Sequence, residues 1–159
     1  MMNVIYILFS YLIGAISFGI VMSRLFSLPD PRTIGSKNPG ATNVLRTGKK
    51  LAALLTLLGD ALKGSLTVGL AHYFELSPLM VALVAIATLI GHIFPVYYGF
   101  KGGKGVATAA GILFMFSWMM GCTVLTIWFA VFIIWRYSSL AAIIAKQFFS
   151  GLDPAAAFI

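Results

Sequence analysis

The sequence predicts an all-α membrane protein, a polytopic bundle of transmembrane helices with about five to six membrane segments and glycine-rich loops between them. Of its 159 residues, 60% are hydrophobic and only 9% are charged. Apolar runs close to the length of about 20 residues that spans a bilayer recur along the chain. They leave no room for a soluble domain, so a single membrane domain over residues 1–159 is expected.

Five apolar runs define the expected membrane helices. They are residues 3–23, about 51–71, about 79–98, 106–135 and about 138–152. The first run lacks a basic leader and a small-residue cleavage site, which favours a retained helix over a signal peptide. The fourth run fits one tilted helix or two short helices broken near residues 117–121. The fifth is short, at roughly 22 Å for a bilayer core of about 30 Å.

Charge distinguishes the two interpretations of residues 106–135. Lysine and arginine collect in the cytoplasmic loops of membrane proteins. With the N-terminus outside and residues 106–135 crossing twice, nine of the eleven basic residues lie on the cytoplasmic side. This arrangement favours two short helices. It also places Ser138 and Ser139 on the same face as both polar loops.

The first polar loop carries a segment suited to binding an anion, residues 35–46 (GSKNPGATNVLR). It combines hydroxyl, amide and guanidinium donors with two glycines that free the backbone. Glycine, proline, asparagine and serine also favour ordinary turns, so a plain connecting loop is the alternative. The residue chemistry favours phosphate binding.

A second such segment lies at residues 101–108 (KGGKGVAT). Its glycines free backbone amides, Lys104 supplies a positive charge, and Val106 begins a helix whose N-terminus favours anions. A basic cytoplasmic loop without a binding role is the alternative. Neither segment has the order of a nucleotide P-loop, which argues against ATP hydrolysis.

Asp60, Lys63 and His92 are ionisable residues inside the second and third predicted spans. Asp60 and Lys63 are one helical turn apart and are expected to pair, either as a structural ion pair or as support for a site. His92 is a candidate general base, although a histidine near a helix end often only satisfies a neighbouring carbonyl.

The residue types that are missing narrow the chemistry. The sequence has no Ser-His-Asp arrangement, no metal-binding histidine motif and no paired acidic cluster, so no metal or other cofactor is expected. Nucleic-acid binding is not expected, because no long basic face exists outside the apolar runs. The single Cys122 is expected to serve packing. An enzyme with this composition fits transfer from an already activated donor, where binding and orientation supply much of the acceleration.

Several segments together resemble the bacterial acyl-phosphate:glycerol-3-phosphate acyltransferases (the PlsY family). The resemblance runs to about residue 144. It is carried by residues 28–32 (LPDPR) with 35–46, by 91–96 (GHIFPV) with 100–108, by 137–140 (YSSL) and by 60–64 (DALKG).

The resemblance implies an enzyme of the bacterial inner membrane that moves a fatty acyl group from acyl phosphate to glycerol 3-phosphate on the cytoplasmic side. The products are lysophosphatidic acid and phosphate, and an upstream enzyme must supply the acyl phosphate. By motif, Ser36, Arg46 and Lys104 would hold phosphate together with Ser138 or Ser139. The residues expected to shape the loops or offer backbone donors are Asn38, Gly40, Thr42, Asn43, Lys101, Gly102, Gly103, Gly105 and Thr108.

Two features depart from the family pattern. Lys37 stands where the family usually has glycine. The segment up to Ile159 does not resemble the family's further helices with their basic His-x-x-Asn motif, so we expect a chain that lacks them. The alternatives to an active acyltransferase are therefore an inactive remnant of one, or a small anion or organophosphate transporter.

Overall fold

The computed structural model describes residues 2–135. All the regular secondary structure in this part of the chain is helical. It contains seven α-helices and one 3₁₀ turn. In order they are α1 (Met2–Gly14), α2 (Phe18–Leu25), α3 (Ala41–Leu45), α4 (Lys50–Tyr73), α5 (Pro78–Ile93), the 3₁₀ turn (Val96–Tyr98), α6 (Val106–Phe116) and α7 (Trp118–Trp135).

The first predicted span is not one helix, which corrects the expectation for residues 3–23. The chain leaves the helical path after Gly14 and resumes it at Phe18, with a bend of 43° between α1 and α2. Ser17 has an extended backbone, and its carbonyl accepts hydrogen bonds from the amides of Ile20 and Val21. In the sequence, the small residues of this run indicated only that helices could approach closely. They did not indicate a break in the helix.

The other predicted helices match the structure closely. Helix α4 has 24 residues, about 36 Å at 1.5 Å per residue. It and the stretch Pro78–Tyr98 are long and apolar enough to cross a membrane, and the bent α1–α2 pair makes a third candidate. The expected break within residues 106–135 is found at Ser117, between α6 and α7. The run at 138–152 lies outside the described residues.

Helix α4 has the polarity expected of a helix in lipid. Its outward stripe is apolar and consists of Leu51, Leu54, Leu58, Leu62 and Leu66, all exposed. Its buried face instead carries Thr56, Asp60, Lys63 and Thr67. Charged and polar side chains in a membrane helix normally face the interior of the bundle. The distribution therefore supports an all-α integral membrane protein.

The described chain divides into two compact units, Met1–Ile112 and the part that starts at Leu113. Within the first unit, α1 and α4 both pack against α5, while α2 and α3 pack against α4. An apolar cluster forms between α4, α5 and the first half of α6. Its buried members are Val68, Ala71, Val81, Val84, Ala85 and Ile112.

Candidate active site

Asn43 organises the first glycine-rich loop from within. Its side chain is buried, and its Nδ2 donates hydrogen bonds to the carbonyl oxygens of Pro31 (2.6 Å) and Ile34 (3.1 Å). Its Oδ1 accepts the amide of Ser36 at 3.0 Å. One asparagine thus holds both sides of the loop, and it leaves the Ser36 residue exposed at the surface.

The conformation of this loop depends on a glycine. Gly35 has φ +52°, in the left-handed region that favours glycine. A Cβ at this position would overlap Asn43 Oδ1 and would lie 3.0 Å from Arg46 Nη1. The exposed Arg46 side chain therefore lies over the backbone at Gly35, next to Ser36. Of the predicted phosphate ligands, Ser36, Arg46 and Lys104 lie among the described residues, and the first two are brought together in this way.

Arg32 links the first loop to the segment that leads into the second. It binds Asp30 through Nη2 to Oδ2 at 2.7 Å and through Nε to Oδ1 at 3.0 Å. Its Nη1 donates to the Tyr98 carbonyl oxygen at 3.3 Å, and the guanidinium lies 5.9 Å from the centre of the Tyr98 ring. Hydrogen bonding from Arg32 holds the pKa of Asp30 below its ordinary value of 3.8.

The second loop is attached to the end of α5 by two backbone hydrogen bonds. The amide of Gly102 donates to the Ile93 carbonyl, and that of Gly103 donates to the His92 carbonyl, each at 3.1 Å. A Cβ on Gly103 would overlap His92 Nε2, so the loop backbone lies directly on the imidazole. Both amides are used inside the protein. In this structure these two glycines shape the loop.

The imidazole of His92 lies at the centre of a buried polar cluster. Its Nδ1 is 3.2 Å from Thr108 Oγ1 and 3.5 Å from Asp60 Oδ1. His92 is 5% exposed, Asp60 2% and Thr108 0%. The histidine therefore has Thr108 and Asp60 on one side of its ring and the Gly103 backbone on the other.

Lys63 extends this cluster to the corner between α1 and α2. Its Nζ lies 2.9 Å from Asp60 Oδ1 and donates a 2.6 Å hydrogen bond to the Ile16 carbonyl oxygen. In a continuous helix that carbonyl would accept the amide of Ile20, which here bonds to Ser17. The lysine thus satisfies a backbone oxygen that the helix break has released. The predicted pairing of Asp60 with Lys63 is present.

The structure collects most of the predicted site residues in the first unit. Lys101 and Lys104 are exposed in the second loop, and Asn38 and Thr42 are half-buried in the first. The predicted Ser138 and Ser139 lie outside the described residues. Sequence reasoning missed Arg32 and Tyr98 as the link between the loops. The spacing of Asp30 and Arg32, two residues apart around Pro31, could have indicated their ion pair. Nothing in the local sequence indicates the contact of Arg32 with Tyr98.

The fold and the site together define a class: an all-α membrane protein with two glycine-rich basic loops over a buried polar cluster. A family model described as glycerol-3-phosphate acyltransferase matches residues 4–152. The chain therefore belongs to the glycerol-3-phosphate acyltransferase family, and it is an acyltransferase of that family.

Two bacterial relatives illustrate the match. A glycerol-3-phosphate acyltransferase of Methylobacillus flagellatus is 57% identical over 151 residues, which cover 95% of this chain and 77% of the relative. One from Nitrosospira multiformis is 59% identical over 145 residues, which cover 89% of this chain and 72% of the relative.

Two crystal structures of PlsY (YgiH), an integral membrane glycerol 3-phosphate acyltransferase, share the fold. Its glycerol 3-phosphate form superimposes with a TM-score of 0.86 at 36% identity, covering 99% of this chain and 82% of that chain. The lysophosphatidic acid form gives a TM-score of 0.83 at 35% identity, covering 95% and 78%. The likeness therefore extends to a protein crystallised with a substrate and with a lipid product.

Proposed function

We propose that this chain transfers a fatty acyl group from acyl phosphate to glycerol 3-phosphate, at the face where the two glycine-rich loops adjoin. The observation that carries the proposal is the link from Arg32 to Tyr98, which holds the first loop beside the segment leading into the second. Both substrates carry phosphate, and each loop offers exposed cationic side chains. Related structures with glycerol 3-phosphate and with lysophosphatidic acid support these substrate and product classes.

The reaction needs binding and orientation more than a reactive side chain. A hydroxyl oxygen of glycerol 3-phosphate attacks the acyl carbonyl carbon, and the bond from that carbon to the phosphate oxygen breaks. The hydroxyl proton ends on the released phosphate, so atoms and charge balance. Because phosphate is a good leaving group, an enzyme nucleophile is unnecessary, and holding the reactants in contact supplies much of the acceleration.

The phosphate ligands in this proposal are Ser36, Arg46 and Lys104. Ser36 and Arg46 lie together on the first loop, and Lys104 lies on the second beside the His92 cluster. Arginine offers a planar fork of donors to phosphate, whereas lysine acts as a point charge. Ser138 and Ser139 are proposed as further ligands from the sequence motif alone.

His92 is proposed to support the second loop, and its role as a general base stays a prediction. Both sides of its ring face protein groups, with Thr108 and Asp60 at Nδ1 and the Gly103 backbone at Nε2. This burial favours a supporting role over direct proton transfer from a bound substrate.

The proposed membrane arrangement follows from charge. We place the N-terminus outside, both glycine-rich loops in the cytoplasm and about five to six segments in the bacterial inner membrane, in contact with its lipids. The positive-inside rule supports this orientation. The acyl phosphate then arrives from an enzyme on the cytoplasmic side.

An assay of the full chain purified in detergent tests the function. Acyl phosphate and radiolabelled glycerol 3-phosphate are supplied, and lysophosphatidic acid and phosphate are measured. Lys104→Ala is expected to lower kcat/KM by at least about tenfold, because a hydrogen bond to a charged group contributes about 1.5–3 kcal/mol. Lys50→Ala, at the start of α4 and outside both loops, is the matched control and is expected to keep full activity.

Three results would contradict the proposal in different ways. Full activity of Lys104→Ala would remove the phosphate role of that lysine. A folded wild-type chain that forms no product would support the inactive remnant. Uptake of glycerol 3-phosphate into proteoliposomes without acylation would support the transporter.

A further inference from the structure

The second loop is attached to His92 through the backbone of Gly102 and Gly103. Its two amide hydrogen bonds end on the carbonyls of His92 and Ile93. A Cβ on Gly102 would overlap the His92 carbonyl oxygen, and one on Gly103 would overlap the ring. The position of the Lys104 backbone, next to Gly103, therefore depends on how the His92 ring is oriented.

Helix α4 helps to orient that ring through Asp60, and α6 contributes through Thr108, whose Oγ1 lies 3.2 Å from Nδ1. Asp60 Oδ1 lies 3.5 Å from His92 Nδ1, and Lys63 Nζ lies 2.9 Å from the same carboxylate oxygen. All three side chains are buried. A change at Asp60 will thus be felt by the second loop through the imidazole, even though Asp60 is remote from the surface.

The first loop is connected to the same pair through the corner between α1 and α2. Lys63 holds the Ile16 carbonyl at 2.6 Å. Three residues later, Gly19 is so close to the first loop that a Cβ there would overlap the Pro39 carbonyl oxygen. Between them, the Phe18 ring fills the space above Gly59 of α4. The corner therefore connects α4 with Pro39 of the first loop.

We propose that Asp60 and Lys63 form a positioning pair that sets the separation of the two glycine-rich loops, Asp60 through His92 and Lys63 through the α1–α2 corner. The pair does not touch substrate. Its effect on catalysis rests on the proposed function, but its effect on loop geometry does not. A purely structural ion pair would hold α4 in the bundle without this consequence.

The direct test measures the distance between the loops. Spin labels are placed on cysteines at Lys37→Cys and Lys101→Cys, both exposed positions, in a Cys122→Ser background. Pulsed electron paramagnetic resonance in detergent then gives the distance distribution. The variant Asp60→Leu/Lys63→Met removes both charges together, since replacing a buried ion pair by apolar residues is often neutral for stability. The distribution is expected to shift or broaden.

The control removes another buried polar contact between α4 and α5. Thr67 and Thr88 share a 2.9 Å hydrogen bond in the same bundle, and their other side-chain hydrogen bonds go to carbonyls of their own helices. Thr67→Val/Thr88→Val is expected to keep the parent distribution. If the Asp60/Lys63 variant folds and keeps it too, the positioning role is wrong. If that variant does not fold, Asp60→Asn, which keeps the shape of the side chain, replaces it under the same criterion.

Kinetics provide the second readout. A misplacement of about 1 Å can cost about 10²-fold in rate, so kcat is expected to fall by roughly that factor. KM for each substrate is expected to change much less, because each loop keeps its own ligands. The two proposals can fail separately. If the parent chain shows no acyltransferase activity but the Asp60/Lys63 variant still alters the distance distribution, the positioning pair is supported and the proposed function is contradicted. If the parent chain is active and the Asp60/Lys63 variant keeps both its kcat and its distance distribution, only the positioning role of the pair is contradicted.

Discussion

At the scale of single residues, the side chain of Asn43 stabilises the first loop through three hydrogen bonds. Its side chain accepts one hydrogen bond and donates two, all to backbone groups of residues 31–36. Because the side chain is buried, water cannot replace these partners. The sequence predicted Asn43 as a loop-shaping residue from its motif, but the partners it binds depend on how the chain turns back on itself.

Asn43→Asp should destabilise the protein clearly, although the two side chains have nearly the same shape. The substitution keeps the acceptor for the Ser36 amide but turns a carboxylate oxygen toward the carbonyls of Pro31 and Ile34. Loss of two buried donors is expected to lower the free energy of unfolding by about 2 kcal/mol or more. Thermal unfolding in detergent measures this. Thr33→Ala, an exposed neighbour, is the control, and equal stability losses in the two variants would contradict the account.

At the scale of elements, the connection between the loops depends on the ion pair of Asp30 with Arg32. Sequence reasoning placed both residues in a polar loop, yet it did not connect them with Tyr98, because that contact spans 66 residues. Local motifs identify which residues are suited to a site. Long-range contacts between loops arise only once the helices that carry them have packed.

The same ion pair makes the loop connection sensitive to acid. The pKa of Asp30 is lower in the folded state than its ordinary 3.8, so protonation favours the unfolded state. The stabilisation is complete well above the ordinary pKa of 3.8 and is lost as the pH falls through the depressed pKa. Asp30→Asn should be less stable than wild type at pH 5 and should approach it at lower pH, as measured by thermal unfolding. A constant difference across this range would contradict the prediction.

Of the two helix breaks in the described residues, the sequence predicted one and missed the other. The break at Ser117 was expected because the charge distribution favoured two crossings, whereas the break at residues 15–17 was not expected. The latter depends on a lysine that lies 47 residues further along the chain. A helix end inside a membrane needs an external partner for its freed backbone groups. That partner is not visible in the local pattern.

At the scale of the whole molecule, topology can be tested directly. Helix α4 is about 36 Å long, so the first loop and the turn at Glu75 lie at its opposite ends. In intact cells with a Cys122→Ser background, a membrane-impermeant maleimide is expected to label Glu75→Cys. Lys37→Cys should react only after the membrane is permeabilised. Labelling of Lys37→Cys in intact cells would reverse the proposed orientation.

The architecture was largely predictable because lipid imposes strong rules. Apolar length located α4 and α5, and the placement of basic residues predicted the division between α6 and α7. The arrangement of the buried cluster was not predictable to the same degree. That His92 would carry the Gly103 backbone on its ring follows from the approach of two segments, and no single residue pattern encodes it.

The released carbonyl of Ile16 also has a consequence for biogenesis. The α1–α2 corner precedes α4 in the chain, so it leaves the ribosome before α4 does. Until Lys63 arrives, the Ile16 oxygen has no partner from α4, and an unsatisfied backbone group in lipid is costly. When α4 inserts, it brings a buried charged pair that itself needs a polar neighbour. Each segment thus completes the other, which makes the first and second membrane segments a joint unit of insertion.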